Sequence, residues 1–100
     1  MKTFKDLKRG DKIYIVEFKT IPTLTEYIVK CVVRESDGFC IVHYVSMDES
    51  KKFGFNLEGS RSDTTFYNMY FAIEYSDALK KFEVASKESL NRLMKDRKYD

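Results

Sequence analysis

The sequence contains few of the residues on which most enzyme and metal sites depend. Among its 100 residues there are one histidine, two cysteines, one proline, four glycines and no tryptophan. With His43 as the only imidazole, a serine or cysteine nucleophile has few bases to activate it. The segment 59–62 also lacks the Gly-Lys-Ser/Thr core with which backbone amides and a lysine hold phosphates. We therefore predict a protein that is not an enzyme and that carries no metal and no cofactor.

A strong charge of either sign is missing as well. The formal net charge is +2, and the positive excess falls on residues 76–100 rather than on the β-rich part of the chain. A dedicated nucleic-acid domain more often has a clear basic face. There is neither a run of about 18 apolar residues nor an N-terminal signal sequence, so we predict no membrane segment. Two cysteines without an export signal predict free thiols and a cytoplasmic location.

The residues that are present suffice for one folded domain over residues 1–100. Hydrophobic residues make up 43% of the chain and aromatic residues 15%, which is enough for a core at this length. Ser76 is a suitable N-cap for a C-terminal helix over about residues 76–97, and Ser86 leaves a break in that helix open. Alternating β-branched and aromatic side chains predict five strands, which cover residues 12–18, 25–36, 39–47, 53–57 and 64–73.

Five strands with short connections and one closing helix are typical of a small barrel. We predict an α+β fold, a small antiparallel five-stranded β-barrel over about residues 10–74 followed by one C-terminal α-helix. The short connections favour an SH3-like barrel, and the alternative is an OB-like barrel. The aromatic-rich run 66–71 is interpreted as core beneath the helix.

The strongest local pattern is a hairpin around Asp37-Gly38. Asp-Gly between two β-rich runs favours a two-residue type I′ turn, which sets a register with Cys31 opposite Tyr44. In that register Cys31 and Cys40 both face the core, about 13 Å apart along the ladder and too far apart for a disulfide. His43 then lies on the other face. The chain therefore offers neither a cysteine–histidine metal site nor a cysteine nucleophile with its base.

The same register places one mixed group of side chains on the half-exposed face of the hairpin. Its basic members are Lys30, Arg34 and His43, and Phe39 lies beside them. Basic groups next to an exposed aromatic ring can hold a nucleic-acid backbone while a base stacks on the ring. The alternative is an ordinary solvated face, on which lysine and arginine stems cover apolar neighbours. Lys30, Arg34, Phe39 and His43 are the candidate binding residues.

Two stretches of the chain resemble a known kind of protein. The run FKDLKRGDKIY from Phe4 to Tyr14, and the passage from Tyr70-Phe71 into Ser76-Asp77-Ala78-Leu79, are similar to those of small, mostly uncharacterised SH3-like barrel proteins of gut bacteria and their phages. The resemblance spans most of the chain and implies a barrel whose motifs are structural. The Gly10-Asp11 turn also resembles that of KOW-type barrels that bind RNA, although Ile21-Pro22-Thr23 stands where their second glycine would be.

These observations predict a non-catalytic binding module. The leading hypothesis is an accessory protein in a phage or mobile-element context, which binds another protein through an exposed strand edge or through the candidate residues. The second hypothesis is a weak single-stranded nucleic-acid-binding protein that uses the same face. A third is an enzyme whose carboxylate site is assembled by folding, since 16 acidic residues are present. The partner's identity and the oligomeric state are left open.

Overall fold

The computed structural model describes residues 2–97, and side chains as far as residue 95. Residue 1 and residues 98–100, which the predicted domain includes, lie outside the described residues. An N-terminal 3-10 helix (Phe4–Asp6) precedes six strands and one helix, α1 (Tyr75–Arg97), so the α+β class is confirmed. The strands are β1 (Lys12–Glu17), β2 (Thr23–Arg34), β3 (Phe39–Val45), β4 (Lys52–Glu58), β5 (Asp63–Phe66) and β6 (Met69–Ala72).

The predicted last strand, residues 64–73, is in fact two strands joined by a tight turn. Phe66 of β5 pairs with Met69 of β6, so Tyr67 and Asn68 alone form the connection. Tyr67 has a φ of 53°, in the left-handed region that residues other than glycine adopt uncommonly. The prediction of five strands was wrong because the aromatic side chains continue through this turn without the glycine or proline that usually marks one.

The six strands form one antiparallel sheet in the order β4-β3-β2-β1-β6-β5. The sheet curls into a half-barrel whose outermost strands are β4 and β5. Its concave face encloses the larger of two hydrophobic cores, because one side of each strand's alternating pattern points inward. The buried strand residues of this core, together with Ile73 just after β6, are Ile13, Ile15, Val29, Cys40, Val42, Tyr44, Leu57, Phe71 and Ile73.

The 3-10 helix covers one end of the half-barrel, which we call the closed end. The amides of Phe4 and Lys5 donate hydrogen bonds of 2.8 and 3.0 Å to the carbonyls of Arg61 and Gly59. Phe4 and Leu7 are 0% and 1% exposed and belong to the concave core. The N-terminal segment is therefore tied by its backbone to the residues after β4 and by its side chains to the core.

Helix α1 packs on the convex face of the sheet, mainly against β1 and β6. It runs without interruption through Ser86, so the break that Ser86 left open does not occur. Ser89 Oγ donates a hydrogen bond to the Thr20 carbonyl and anchors the middle of the helix. The buried residues of this second core are Val16, Tyr70, Ala72 and Ala78.

The hairpin of β2 and β3 forms as predicted, but its register differs by one residue. The Glu35 amide donates to the Phe39 carbonyl at 2.8 Å, so the connection has three residues, 36–38, instead of two. Cys31 therefore pairs with His43, and the predicted pairing of Cys31 with Tyr44 was wrong. Because side chains alternate between the two faces of a sheet, this shift exchanges the faces predicted for residues 31–35.

A β-bulge at Lys30 limits the effect of this shift. The register changes between Val29 and Cys31, and beyond the bulge Val29 pairs with Tyr44 and is buried in the concave core. Cys40 is buried as predicted, whereas Cys31 is exposed, which corrects the prediction that both cysteines lie in the core. Both are free thiols, as predicted.

Candidate binding site at the open end of the sheet

Two of the predicted binding residues, Phe39 and His43, share the convex face of β3. Phe39 is 38% exposed. His43 is half-buried beside Gly54 of β4, where an added Cβ atom would lie 3.0 Å from the His43 Nδ1. His43 also pairs directly with the exposed Cys31, so the prediction that these two residues lie on opposite faces was wrong. Within residues 2–97, no group of three or more His, Cys, Asp or Glu side chains is arranged to hold a metal ion.

The other two predicted residues lie elsewhere. Arg34 pairs with the buried Cys40 and so belongs to the opposite side of the hairpin from His43. Its Nη2 donates a hydrogen bond of 2.6 Å to the carbonyl of Lys5, at the closed end. Lys30 is exposed within the bulge. The prediction of one basic face was therefore wrong for Arg34, because the three-residue turn moves its side chain across the sheet.

A different group of side chains lies on the concave face at the end opposite the 3-10 helix. Here the half-barrel is open, and aromatic residues from β2, β3, β4 and β5 come together. We call this group the aromatic mouth, and it consists of Tyr27, Tyr44, Phe53, Phe55, Phe66 and Tyr67.

The rings of the aromatic mouth contact one another from strand to strand. Phe53 has its ring centroid 5.7 Å from that of Tyr27 and 5.4 Å from that of Tyr44. Phe55 of β4 meets Phe66 of β5 at 5.0 Å in an edge-to-face arrangement, which adds stability beyond simple burial. The rings thus bridge the gap between the two outermost strands, where a closed barrel would have backbone hydrogen bonds.

The aromatic mouth is open to solvent and encloses a cavity. Phe53, Phe66 and Tyr67 are 41%, 46% and 86% exposed. The cavity has a volume of about 310 Å³, and Glu17 is the only charged residue that lines it within the described part of the chain. The Oε2 atom of Glu17 lies 3.3 Å from the Nζ atom of Lys19. A single carboxylate, paired with a lysine beside the cavity, is therefore set among aromatic rings.

The two tyrosines that line the cavity, Tyr27 and Tyr44, are held in their neutral form. Burial raises the pKa of Tyr44 to about 12, and the negative charge of Glu17 contributes to the rise. Burial and the same carboxylate raise the pKa of Tyr27. A phenolate would be poorly solvated here and repelled by the carboxylate, so at neutral pH the cavity presents uncharged rings and one negative group.

The sequence analysis did not identify this site. The alternation of Phe53 and Phe55 with Gly54 and Asn56 was a usable signal, because it puts two large rings on one face of a strand. That alternation was interpreted as a buried face only. Which end of the concave face stays open depends on where the 3-10 helix packs, and no local pattern shows that.

Comparisons with known proteins point to no relative. No protein-family model, no curated protein and no solved structure matches this chain. In the part of the chain that the structure describes, no helix is long and apolar enough to cross a membrane. The function is therefore argued from the geometry of the site.

Proposed function

We propose that the chain is a small non-catalytic binding module that holds an extended segment of a partner protein at the open end of its sheet. The observation that carries the proposal is the aromatic mouth. Its side chains Phe53, Phe66 and Tyr67 are exposed, and Phe53 lines the cavity on the concave face. Exposed aromatic side chains grouped in this way mark interaction sites, since a contiguous apolar patch in water is costly unless a partner covers it.

The backbone of β4 supports the same proposal. β4 pairs with β3 on one side and is an outermost strand of the sheet. The other side of such a strand has a row of N–H and C=O groups that another strand can use. A segment paired there places alternate side chains on the concave side, next to Phe53 and Phe55. Backbone hydrogen bonds then supply affinity, and the aromatic mouth supplies selectivity.

A peptide-display selection tests this proposal. A library of random extended peptides is selected on the wild-type protein, and the affinity of the enriched peptides is measured by isothermal titration calorimetry. We expect Phe53→Ala to weaken binding by about tenfold or more, because a central aromatic anchor is lost.

Phe39→Ala is the matched control for this selection. Phe39 is 38% exposed and Phe53 is 41% exposed, but Phe39 lies on the convex face. The control variant should keep the wild-type affinity. The proposal fails if no peptide is enriched, or if the enriched peptides lose the same affinity with either variant.

A second proposal assigns weak single-stranded nucleic-acid binding to the convex face. The observation in its favour is that Phe39 and His43 share that face, with Phe39 exposed enough for a base to stack on it. Fluorescence anisotropy of labelled single-stranded DNA and RNA, titrated at two salt concentrations, tests it. Binding that weakens with salt and is lost in Phe39→Ala, but kept in Phe53→Ala, supports this second proposal. Absence of binding at low salt contradicts it.

The biological setting is also part of the proposal. We propose that the chain is related to the SH3-like barrel proteins of gut bacteria and phages, which the run from Phe4 to Tyr14 supports, and that it acts in the cytoplasm. The free thiols of Cys31 and Cys40 support a reducing compartment. Fractionation of the native host, followed by detection with an antibody, tests the location. Recovery from a secreted or envelope fraction would contradict it.

A further inference from the structure

The residues that line the cavity of the aromatic mouth indicate which class of ligand it can bind. Rings of Tyr27, Tyr44, Phe53 and Phe55 line it, and among the described residues Glu17 is the one charged side chain in its lining. We propose that this cavity binds a weakly hydrated organic cation, a methylated ammonium or guanidinium group, carried by the partner segment. The inference rests on the proposed function, because it specifies the side chain that the partner places in the mouth.

Aromatic rings favour a cation over a neutral group of the same shape. The face of a tyrosine or phenylalanine ring is electron-rich and attracts positive charge when the two are within about 6 Å. The centroids of Tyr27, Tyr44 and Phe53 lie 5.1 to 5.7 Å from one another. These three rings pack against one another and line the same cavity, so one group bound there can touch more than one ring.

The carboxylate of Glu17 gives the cavity its charge preference. Glu17 is the last residue of β1, and its present counter-ion is Lys19, at 3.3 Å. The side chains of the pair are 31% and 52% exposed, and an ion pair this exposed is weak. An incoming cation can therefore replace the ammonium of Lys19 at the carboxylate, while the lysine returns to water.

The size and polarity of the cavity select the class of cation. A volume of about 310 Å³ is at the lower limit of small-molecule sites and suits one side-chain head group. A primary ammonium is strongly hydrated and loses much of that hydration among aromatic rings, whereas a guanidinium is more weakly hydrated. Methylation of an ammonium group removes its N–H donors and so weakens its hydration as well. The cavity should therefore prefer trimethyl-lysine or arginine side chains over unmodified lysine.

An NMR titration with small probes tests the inference without a peptide. The probes are Nα-acetyl-trimethyl-lysine amide, Nα-acetyl-arginine amide, and a neutral isostere of the first in which carbon replaces the ammonium nitrogen. Gly54 lines the cavity, so its amide resonance reports binding. We expect both cations to shift this resonance saturably. The neutral isostere should bind about tenfold more weakly than the trimethyl-lysine probe.

Glu17→Gln and Glu26→Gln form a matched pair of variants. Both carboxylates are 31% exposed, and each pairs with a lysine, at 3.3 Å for Glu17 and 3.4 Å for Glu26. Only Glu17 lines the cavity. Glu17→Gln should weaken the binding of both cationic probes by several-fold and leave the binding of the neutral isostere unchanged. Glu26→Gln should change the affinity of neither the cations nor the isostere. Phe53→Leu, which keeps apolar volume but removes a ring, should lower the cation preference as well.

Equal affinity for the trimethyl-lysine probe and its isostere would overturn the inference, and so would a Gly54 resonance that no probe moves. The comparison of these two probes uses the wild-type protein, so it stands even if a variant folds poorly. The two proposals also fail separately. If selected peptides depend on Phe53 but need no cationic residue, only the cation inference is lost. If the cations bind but no peptide competes with them, only the peptide-binding proposal is lost.

Discussion

The two faces of strands β3 and β4 present equally exposed phenylalanines in very different surroundings. Phe53 on the concave face is 41% exposed, and Phe39 on the convex face is 38% exposed. Phe53 contacts the rings of Tyr27 and Tyr44 and lines a cavity. Phe39 is paired across the strands with Glu58 instead. Exposure alone therefore does not distinguish these two phenylalanines, whereas the neighbouring rings and the adjacent cavity do.

The convex and concave faces also differ in how they are covered. The convex face carries α1 mainly over β1 and β6, which leaves the convex side of β3 and β4 away from the main helix contacts. The concave face is covered by the curl of the sheet itself and, at the closed end, by Phe4 and Leu7. The curl of the sheet leaves a cavity lined by aromatic rings at the open end, whereas the pockets on the convex face lie along the helix.

The largest expected effect is on the concave core. Phe71→Ala removes a side chain that is 0% exposed and contacts both Tyr44 and Phe55. We expect a loss of about 3–5 kcal/mol in the free energy of unfolding, from lost burial and the cavity left behind. Urea denaturation followed by circular dichroism measures it. Phe39→Ala on the convex face should lower the free energy of unfolding by less than about 1 kcal/mol. Similar losses in the two variants would contradict the difference between the two faces.

The next largest effect expected is a loss of stability at alkaline pH, caused by ionisation of Tyr44. Its pKa is about 10 in the unfolded chain and is raised to about 12 in the fold. Tyr44 ionises at a lower pH in the unfolded chain than in the fold. Its contribution to stability is therefore complete below pH 10 and is lost as the pH rises through the pKa of the folded state. The loss is on the order of 2 kcal/mol. Thermal unfolding of wild type and Tyr44→Phe between about pH 8 and pH 12 measures it. Parallel decline of the two proteins would contradict the assignment to Tyr44.

A smaller effect is expected from alanine substitutions at two glycines, Gly54 and Gly59. A Cβ atom on Gly59 would lie 2.9 Å from the carbonyl oxygen of Gly38, a backbone atom, whereas one on Gly54 would meet only the His43 side chain at 3.0 Å. Backbone moves less readily than a side chain, so we expect Gly59→Ala to cost about 2 kcal/mol and Gly54→Ala clearly less. Chemical denaturation of both variants checks this. A larger loss for Gly54→Ala would show that His43 is held rigidly on the convex face.

The smallest predicted effect concerns the attachment of the helix. Ser89→Ala removes the hydrogen bond to the Thr20 carbonyl and should destabilise the protein by about 1 kcal/mol. Hydrogen exchange of the α1 amides and thermal unfolding measure it. Ser86→Ala, at another partly buried position of the same helix, is the control. If both variants unfold like the wild type, this hydrogen bond does not anchor the helix.

The secondary structure was largely predictable, and its failures have identifiable causes. The helix, β1 and the hairpin of β2 and β3 follow from side-chain periodicity, which depends on nearby residues. The predicted N-cap was wrong, because the helix begins at Tyr75 and Ser76 lies within it. The register failed because Asp37-Gly38 fits a three-residue connection as well as a two-residue one, with Gly38 at a φ of 90° in the observed turn. The sixth strand was missed because the turn at Tyr67 uses a left-handed tyrosine, which carries no sequence signal.

The candidate binding residues were less predictable than the elements that carry them. Phe39 and His43 share a face as expected, but Arg34 does not, since one residue of register decides its side of the sheet. The aromatic mouth draws its rings from four strands that are far apart in the chain. Only the curl of the sheet brings those rings together, and no window of sequence contains them all.

By itself, the sequence determined the α+β class, the helix, most strands and the apolar faces of β1, β3 and β4, because these depend on interactions between residues near one another in the chain. The tertiary structure alone decided which residues meet across strands. It set the register that pairs Cys31 with His43. It also placed the 3-10 helix at one end of the half-barrel and left the rings around Glu17 open at the other. The physical reason is that long-range packing selects among local alternatives that differ little in energy.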